Sequence, residues 1–263
     1  MNNYIDNLFN LKNKNVVIIG AGGHLCSQMA FGFANSKSNI AILDIRPKKL
    51  LELKKNIKND INDKKINILT HKINACIKRD HIKVLKKILT KFKKIDVLIN
   101  GAGINDSTPF LKIPLKSWNN VVDSQLTATF LGCQVFGEHM LKNKSGSIIN
   151  ISSASSWPPL SKAFAYSAAK SSIKNLTANL GREWGDKGVR VNSLQPGFFP
   201  TEWNIKNFID KSRKKQILNH TPMRRFGDPK ELIGATLWLA SDASKFVTGT
   251  ELTVDGGFSC MSI

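Results

Sequence analysis

The stretch "VVIIGAGGHLCSQMA", residues 16–30, decides the fold, because it joins an apolar β-branched run to a glycine-rich turn and a helical segment. The glycines of residues 20–23 carry no side chains, so backbone N–H groups at the start of the helix can approach a pyrophosphate. A regular dinucleotide fingerprint has two further glycines where this chain has His24 and Cys26. The stretch therefore predicts a strand, an altered nucleotide-binding turn and a helix.

The same alternation of apolar runs and helical segments continues along the chain. The apolar runs are short, β-branched and unalternating, as in a parallel sheet buried on both faces. Strands are predicted at 16–20, 40–44, 66–74, 95–101, 147–152, 190–196 and 251–255. Helices are predicted at 24–36, 47–59, 80–93, 117–142, 166–185 and 228–240. Alternating strands and helices imply right-handed βαβ units, and so an α/β fold with a doubly wound sheet covered by helices.

No composition break divides the chain, so residues 1–263 are predicted to form a single domain. The basic stretch 200–227 lacks a strand and is a candidate substrate lid. No run of about 18 apolar residues occurs, and the N-terminal residues lack the apolar region of a signal peptide. The four cysteines form no CxxC pair or metal-like spacing. We therefore expect a cytoplasmic protein with no membrane span and no metal site.

The net charge of +20 is concentrated between Arg46 and Lys94, where 17 basic residues face 4 acidic ones. Such a patch can bind nucleic acid or an anionic surface. The alternative is a solvated lysine-rich surface, since the lysines lie on helical runs opposite Leu and Ile, without aromatic residues between them. No nucleic-acid motif accompanies them, so no specific nucleic-acid partner is expected.

Asp44, at the end of the second predicted strand, is placed to accept hydrogen bonds from an adenosine ribose. Its negative charge would repel a 2′-phosphate and so favours NAD over NADP. Arg46, two residues later, weakens this preference because it can pair with such a phosphate. The expected cofactor is NAD, with NADP as the alternative.

Tyr166 and Lys170, in "YSAAK", are four residues apart, which on a helix puts both side chains on one face. There the ammonium is expected to lower the pKa of the phenol from near 10, so that Tyr166 can donate and accept a proton. Ser153 follows the strand predicted at 147–152, at the same end of the sheet. The three side chains predict a proton-transfer site.

With these residues, "NGAG" (100–103, similar to NNAG), "RVNSLQPG" (190–197) and "FVTGTELTVDGG" (246–257), the chain resembles the short-chain dehydrogenase/reductase family over nearly its whole length. The resemblance implies a Rossmann-like fold with a seven-stranded parallel sheet, NAD(P) binding and a homotetramer. It implies that Tyr166 is the general acid/base, that Ser153 steadies the substrate oxygen, and that Lys170 holds the nicotinamide ribose. The residues expected to bind the cofactor are Gly20, Gly22, Gly23, His24, Leu25, Asp44, Asn74, Asn100, Gly101, Ala102, Tyr166, Lys170, Pro196, Gly197, Phe199 and Thr201.

Within the family, "GGHLCSQMA", "PGFFPTEWN" and "VDGGFSCMSI" are similar to the branch of D-mannonate oxidoreductases and gluconate dehydrogenases. In that branch a glycine run ending in Leu-Cys is usual. A sugar acid is anionic, and the lid offers cations that can pair with its carboxylate: Lys206, Arg213, Arg224 and Arg225. The residues expected to contact substrate are Ser153, Trp157, Phe198 and Arg224. Further aromatic residues expected around the pocket are Phe164, Phe199 and Trp203.

Three residues depart from the family pattern. His24 can donate to a phosphate or crowd it. Asn74 stands where the family often has an Asp that contacts adenine, and its amide oxygen can still accept. Gln125 replaces a catalytic Asn whose backbone holds a relay water, and its extra methylene can displace that water.

The predicted function is hydride transfer between NAD(H) and a keto or hydroxy sugar acid, with D-fructuronate and D-mannonate favoured. The alternatives are reduction of a 3-oxoacyl chain or of keto-gluconate, and a non-catalytic dinucleotide-binding scaffold.

Overall fold

Each predicted β-branched run contains a strand in the computed structural model, which describes residues 4–61, 65–158, 160–201, 205 and 209–261. The strands are β1 (Asn15–Ile19), β2 (Asn39–Asp44), β3 (Ile68–Lys72), β4 (Val97–Asn100), β5 (Gly146–Ile151), β6 (Val189–Pro196) and β7 (Glu251–Val254). They pair in parallel in the order β3-β2-β1-β4-β5-β6-β7. The predicted α/β, Rossmann-like class and the seven-stranded parallel sheet are confirmed.

Helices cover both faces of this sheet. In the described residues they are α1 (Tyr4–Leu8), α2 (His24–Asn35), α3 (Pro47–Asp60), α4 (Lys78–Phe92), α5 (Leu115–Val122), α6 (Ala128–Lys142), α7 (Phe164–Trp184), α8 (Lys211–His220) and α9 (Leu232–Ala240). The predicted helix 117–142 is divided by a π-helical turn, Asp123–Thr127, because one extra residue enters the winding there. The predicted helix 228–240 begins with a 3₁₀ turn, Pro229–Glu231.

Alternate residues of β1 enter two separate hydrophobic layers. Val16 and Ile18 pack with α2, α3 and α9 on one face of the sheet. Val17 and Ile19 pack with α4 and α6 on the other. All four side chains are at most 1% exposed, which explains the unalternating apolar sequence of the strand. No helix in the described ranges is long and apolar enough to cross a membrane.

The order of the strands places the functional residues. β1 lies between β2 and β4, so the chain crosses to opposite sides of the sheet after β3. In doubly wound sheets, ligands bind beyond the carboxyl ends of the strands at this reversal. The glycine turn after β1, Asp44 at the end of β2 and Ser153 after β5 therefore lie along one edge.

Candidate active site

The turn between β1 and α2 requires glycine at position 20. Gly20 has a φ of +84°, and a Cβ there would lie 2.6 Å from the backbone nitrogen of Ala102. Gly23 is the N-cap of α2, so free N–H groups of the helix follow directly. The glycine turn and the loop after β4 approach each other closely, and together they form a cradle without side chains that suits a pyrophosphate.

The carboxylate of Asp44 stabilises this glycine turn through hydrogen bonds. Its Oδ2 accepts hydrogen bonds from the Gly22 backbone nitrogen (3.0 Å) and from Arg46 Nη2 (3.1 Å). Its Oδ1 accepts from the backbone nitrogen and Nε of Arg46, both at 2.9 Å. Burial raises the pKa of Asp44, but the hydrogen bonds from Arg46 and Gly22 outweigh it and hold the pKa below its ordinary value. The carboxylate is therefore ionised and held, with its side chain 4% exposed.

A cavity of about 320 Å³ runs from this turn past the ends of β2, β3 and β4. The predicted cofactor residues that line it are Gly20, Gly23, Asp44, Asn74, Gly101 and Ala102. Asn74 accepts a hydrogen bond from the backbone nitrogen of Cys76 through its Oδ1, at 3.1 Å. Its amide oxygen is thus already engaged in the turn that forms the cavity wall.

Two predicted cofactor residues point away from this cavity. Leu25 packs against the hydrophobic layer around α2. The side chain of Asn100 is 3% exposed, and its Nδ2 donates to Asn150 Oδ1 at 2.9 Å. Both side chains continue into the core beneath the sheet edge, so the expected cofactor contacts of Leu25 and Asn100 stay a prediction that would use their backbone groups.

His24 and Cys26 occupy different surroundings. His24 is exposed at the first position of α2, and desolvation lowers its pKa while nearby Asp228 opposes that effect. Cys26 is buried, which raises the pKa of its thiol to about 12. A Cβ on Gly101 would lie 2.3 Å from Cys26 Sγ, so the thiol fills the space beside that glycine.

Ser153 and Tyr166 line a second cavity, of about 720 Å³. Ser153 stands two residues after β5, and its Oγ accepts from the backbone nitrogen of Ser155 at 3.2 Å. Tyr166 lies in the first turn of α7, and Lys170 follows one turn later. Lys170 is 4% exposed, its Nζ donates to the Ile151 carbonyl at 2.6 Å, and that Nζ lies 5.4 Å from the centre of the Tyr166 ring. The predicted triad is brought together.

The pKa values of this triad differ from expectation. Burial raises the pKa of Tyr166, and a hydrogen bond with the Ser153 side chain acts against it. Burial also lowers the pKa of Lys170 to about 7. The prediction that Lys170 lowers the phenol pKa is therefore wrong for this site. Desolvation removes much of the charge of Lys170 near neutral pH. The spacing of two residues on a helix does not reveal how deeply the lysine side chain is buried.

Gln125 lies in the π-helical turn and is 3% exposed. Its Nε2 donates to the Ile104 carbonyl at 2.8 Å, whereas its buried Oε1 has no hydrogen-bond partner among the residues that the structure describes. The side chain packs beneath Gly103, at the border of the cofactor cavity. Its role in a proton relay stays a prediction.

The remaining predicted cofactor, substrate and lid residues divide into three groups. Gly197, Phe198 and Phe199 line the cavity of Ser153 and Tyr166. Pro196 ends β6 just before them, and the carbonyl of Thr201 accepts from the Ile205 nitrogen at 3.0 Å. Trp203 and Lys206 lie outside the described residues.

Trp157 and Arg224 are not part of the described lining of this cavity, and their contact with substrate stays a prediction. Trp157 is 76% exposed and is absent from the cavity lining among the described residues. Arg224 Nη1 donates to the Asn219 carbonyl at 2.7 Å, at the end of α8. The last carbonyls of a helix attract cations, which explains why this arginine binds there.

Several residues of the cavity lining carry no signal in the sequence. Asn105 and Ser107 follow β4, Lys162 precedes α7, and Asp210 is the N-cap of α8. All four stand in irregular segments, where no hydrophobic period or motif marks them. Of the predicted lid cations, Arg213 does line the cavity.

Residues 22–259 match the family model described as enoyl-(acyl carrier protein) reductase, a model of short-chain dehydrogenases/reductases. The 5-keto-D-gluconate 5-reductase of Escherichia coli K12 is 34% identical, and the match covers 96% of this chain and 98% of that protein.

Two solved structures share both fold and sequence. A proposed D-mannonate oxidoreductase from Haemophilus influenza with bound NAD has a TM-score of 0.90 and 36% identity, covering 96% of this chain and 97% of that one. A gluconate 5-dehydrogenase from Burkholderia cenocepacia J2315, in complex with NADP and tartrate, has a TM-score of 0.91 and 27% identity, covering 98% and 100%. The chain therefore belongs to the short-chain dehydrogenase/reductase family, oxidoreductases that act on CH–OH groups.

Proposed function

We propose that this protein interconverts an oxo and a hydroxy sugar acid with NAD(H), with D-fructuronate and D-mannonate as the favoured pair. The observation that carries the proposal is that Ser153 and Tyr166 line one cavity with Lys162 and Arg213. A proton donor and a second hydroxyl that can hold the substrate oxygen thus share a cavity with two cations, which suits an anionic carbonyl substrate.

The residues of the chain divide the work of the reaction. In reduction, the substrate carbonyl oxygen accepts hydrogen bonds from Ser153 Oγ and Tyr166 Oη, and Tyr166 gives up its proton to that oxygen. Lys170 is held against the Ile151 carbonyl, with further N–H groups available for the nicotinamide ribose. The bound dinucleotide supplies or takes the hydride.

The cofactor cavity suits a dinucleotide, because Gly20 and Gly23 leave their backbone exposed to it. The ionised Asp44 disfavours a 2′-phosphate beside the adenosine ribose. Arg46 is already paired with Asp44, although its side chain remains 55% exposed. These contacts favour NAD and leave NADP as the second choice. The solved relatives carry one or the other.

Two other substrate classes compete with the favoured pair. The 34% identical 5-keto-D-gluconate 5-reductase favours keto-gluconate as a close alternative. A 3-oxoacyl or enoyl chain needs an apolar channel, whereas Asn105, Lys162 and Asp210 line this cavity. Apolar residues such as Leu160, Phe198 and Ile209 complete the lining, so the preference for a polyhydroxy acid over an acyl chain rests on the charged groups of Lys162, Asp210 and Arg213.

The test is a screen of the purified protein for oxidation of NADH and NADPH, read by their absorbance. D-Fructuronate, 5-keto-D-gluconate and an acetoacetyl thioester are the three substrates. We expect turnover of a sugar acid, faster with NADH. Turnover of the thioester alone would overturn the proposal, and turnover of keto-gluconate alone would replace the favoured pair.

A further inference from the structure

The cavity of Ser153 and Tyr166 is bounded on its lid side by the start of α8. Asp210 caps this helix by accepting a hydrogen bond from the backbone nitrogen of Arg213, at 2.8 Å. Ile209, Asp210 and Arg213 all line the cavity. The capped first turn therefore fixes where the Arg213 side chain starts.

The guanidinium of Arg213 is held by neutral acceptors. Its Nη1 donates to Ser161 Oγ and its Nη2 donates to the Ser161 carbonyl, both at 3.1 Å. Ser161 lies three residues before α7, the helix that carries Tyr166. Arg213 thus links the lid helix to the loop that leads into the catalytic helix, while its positive charge keeps no carboxylate partner among the described residues.

The neighbouring lid arginines are engaged elsewhere. Arg224 caps the end of α8. Arg225 forms a two-pronged pair with Glu231, with Nη1 and Nη2 at 2.7 and 2.6 Å from its carboxylate oxygens. Asp210, the acidic residue in the described cavity lining, already accepts from the helix backbone. In the described lid, Arg213 is therefore the guanidinium that faces the cavity without a counter-charge.

We propose that Arg213 is the residue that recognises the substrate carboxylate, an inference that rests on the proposed sugar-acid function. A guanidinium binds a carboxylate through two parallel N–H···O bonds, each about twice as strong as a bond to a neutral acceptor. A substrate carboxylate can therefore replace Ser161 at the same two nitrogens. Arg213 is a specificity-determining residue, and it selects acids over neutral sugars of the same length.

The test compares Arg213→Gln and Arg213→Lys with the wild type. Lys214→Gln is the matched control, because Lys214 is the exposed neighbour in α8 and its loss removes the same charge. The substrates are whichever sugar acid the wild type reduces best and L-sorbose as a neutral ketose. Affinity for NADH is measured by fluorescence, which reports the fold and the cofactor site independently of turnover.

We expect Arg213→Gln to lower kcat/KM for the acid about 100-fold, mainly through KM, and to change that for sorbose less than about threefold. Arg213→Lys should have a kcat/KM for the acid between those of the wild type and Arg213→Gln, because lysine keeps the positive charge but loses the two parallel N–H donors of the guanidinium. Lys214→Gln should match the wild type, and all variants should bind NADH equally.

Two results would overturn the inference while the proposed function stands. One is an acid kcat/KM in Arg213→Gln within threefold of the wild type. The other is an equal loss on acid and sorbose or weakened NADH binding, which would show a structural role. Failure of the wild type to reduce any sugar acid would overturn the proposed function and this inference with it.

Discussion

Replacing Lys170 with methionine should abolish turnover and stabilise the fold. The side chain is 4% exposed, and burial lowers its pKa from 10.5 to about 7. At about 1.4 kcal/mol for each pH unit, holding the ammonium in this site costs about 5 kcal/mol. Methionine loses the hydrogen bond to the Ile151 carbonyl, a loss of about 1–3 kcal/mol. The variant should therefore be about 2–4 kcal/mol more stable at pH 6.

The stability advantage of the methionine variant should be largest at low pH and should shrink as the pH rises. Below pH 7 both the folded and the unfolded chain hold the Lys170 proton, so the penalty is fully present. From pH 7 to 10.5 the folded chain releases that proton while the unfolded chain keeps it, so wild-type stability rises with pH. Methionine does not titrate, and the advantage of the variant should shrink by about 2.5 kcal/mol between about pH 6 and about pH 9.

The assay is urea unfolding of both proteins at the two pH values, followed by tryptophan fluorescence. Lys214→Met, on the exposed face of α8, is the control for removing a lysine charge. A variant less stable than the wild type at pH 6, or an advantage that does not change with pH, would refute the reasoning. Either result would mean that Lys170 remains charged and well solvated in the folded protein.

Three further outcomes are expected. Tyr166→Phe should lower kcat by about 10²-fold or more with NADH affinity unchanged, as measured by steady-state kinetics and fluorescence; near-normal turnover would exclude Tyr166 as the proton donor. Gly20→Ala should lower the free energy of unfolding by about 2–5 kcal/mol, because the new Cβ would clash with the Ala102 backbone and because the φ of +84° strains any residue other than glycine. Gly234→Ala is the control: its Cβ would meet no atom of the described residues within 4 Å, so the variant should be neutral or stabilising. Asp44→Asn should improve NADPH binding relative to NADH about tenfold in fluorescence titrations; an unchanged ratio would show that the charge does not select the cofactor.

The sheet could be predicted from the sequence because strands that are buried on both faces have continuous apolar sequences. Val16 to Ile19 are apolar without alternation, and both faces of β1 are covered. Such runs, followed by turns and helical periods, leave few topologies open. Tyr166 and Lys170 were predictable for the same reason, since a four-residue step on one helix fixes their relative position.

The sequence does not reveal which of the candidate cations faces the cavity, because the direction of a side chain depends on tertiary contacts. Arg224 was expected to bind substrate, yet it caps α8. Arg213 carries the same charge in the same lid and faces the cavity. The low pKa of Lys170 also depends on depth, which spacing does not encode. The single domain, the cytoplasmic location and the homotetramer stay predictions.

The contact between Cys26 and Gly101 couples two loops that sequence motifs treat separately. A Cβ at position 101 would overlap the Cys26 sulfur, so the glycine turn and the "NGAG" segment must change size together. Asn in place of Gly101, as in NNAG, should be tolerated only when Cys26 also becomes glycine. Cys26 is larger than the glycine it replaces, and Gly101, 75 residues away along the chain, is small enough to accommodate it.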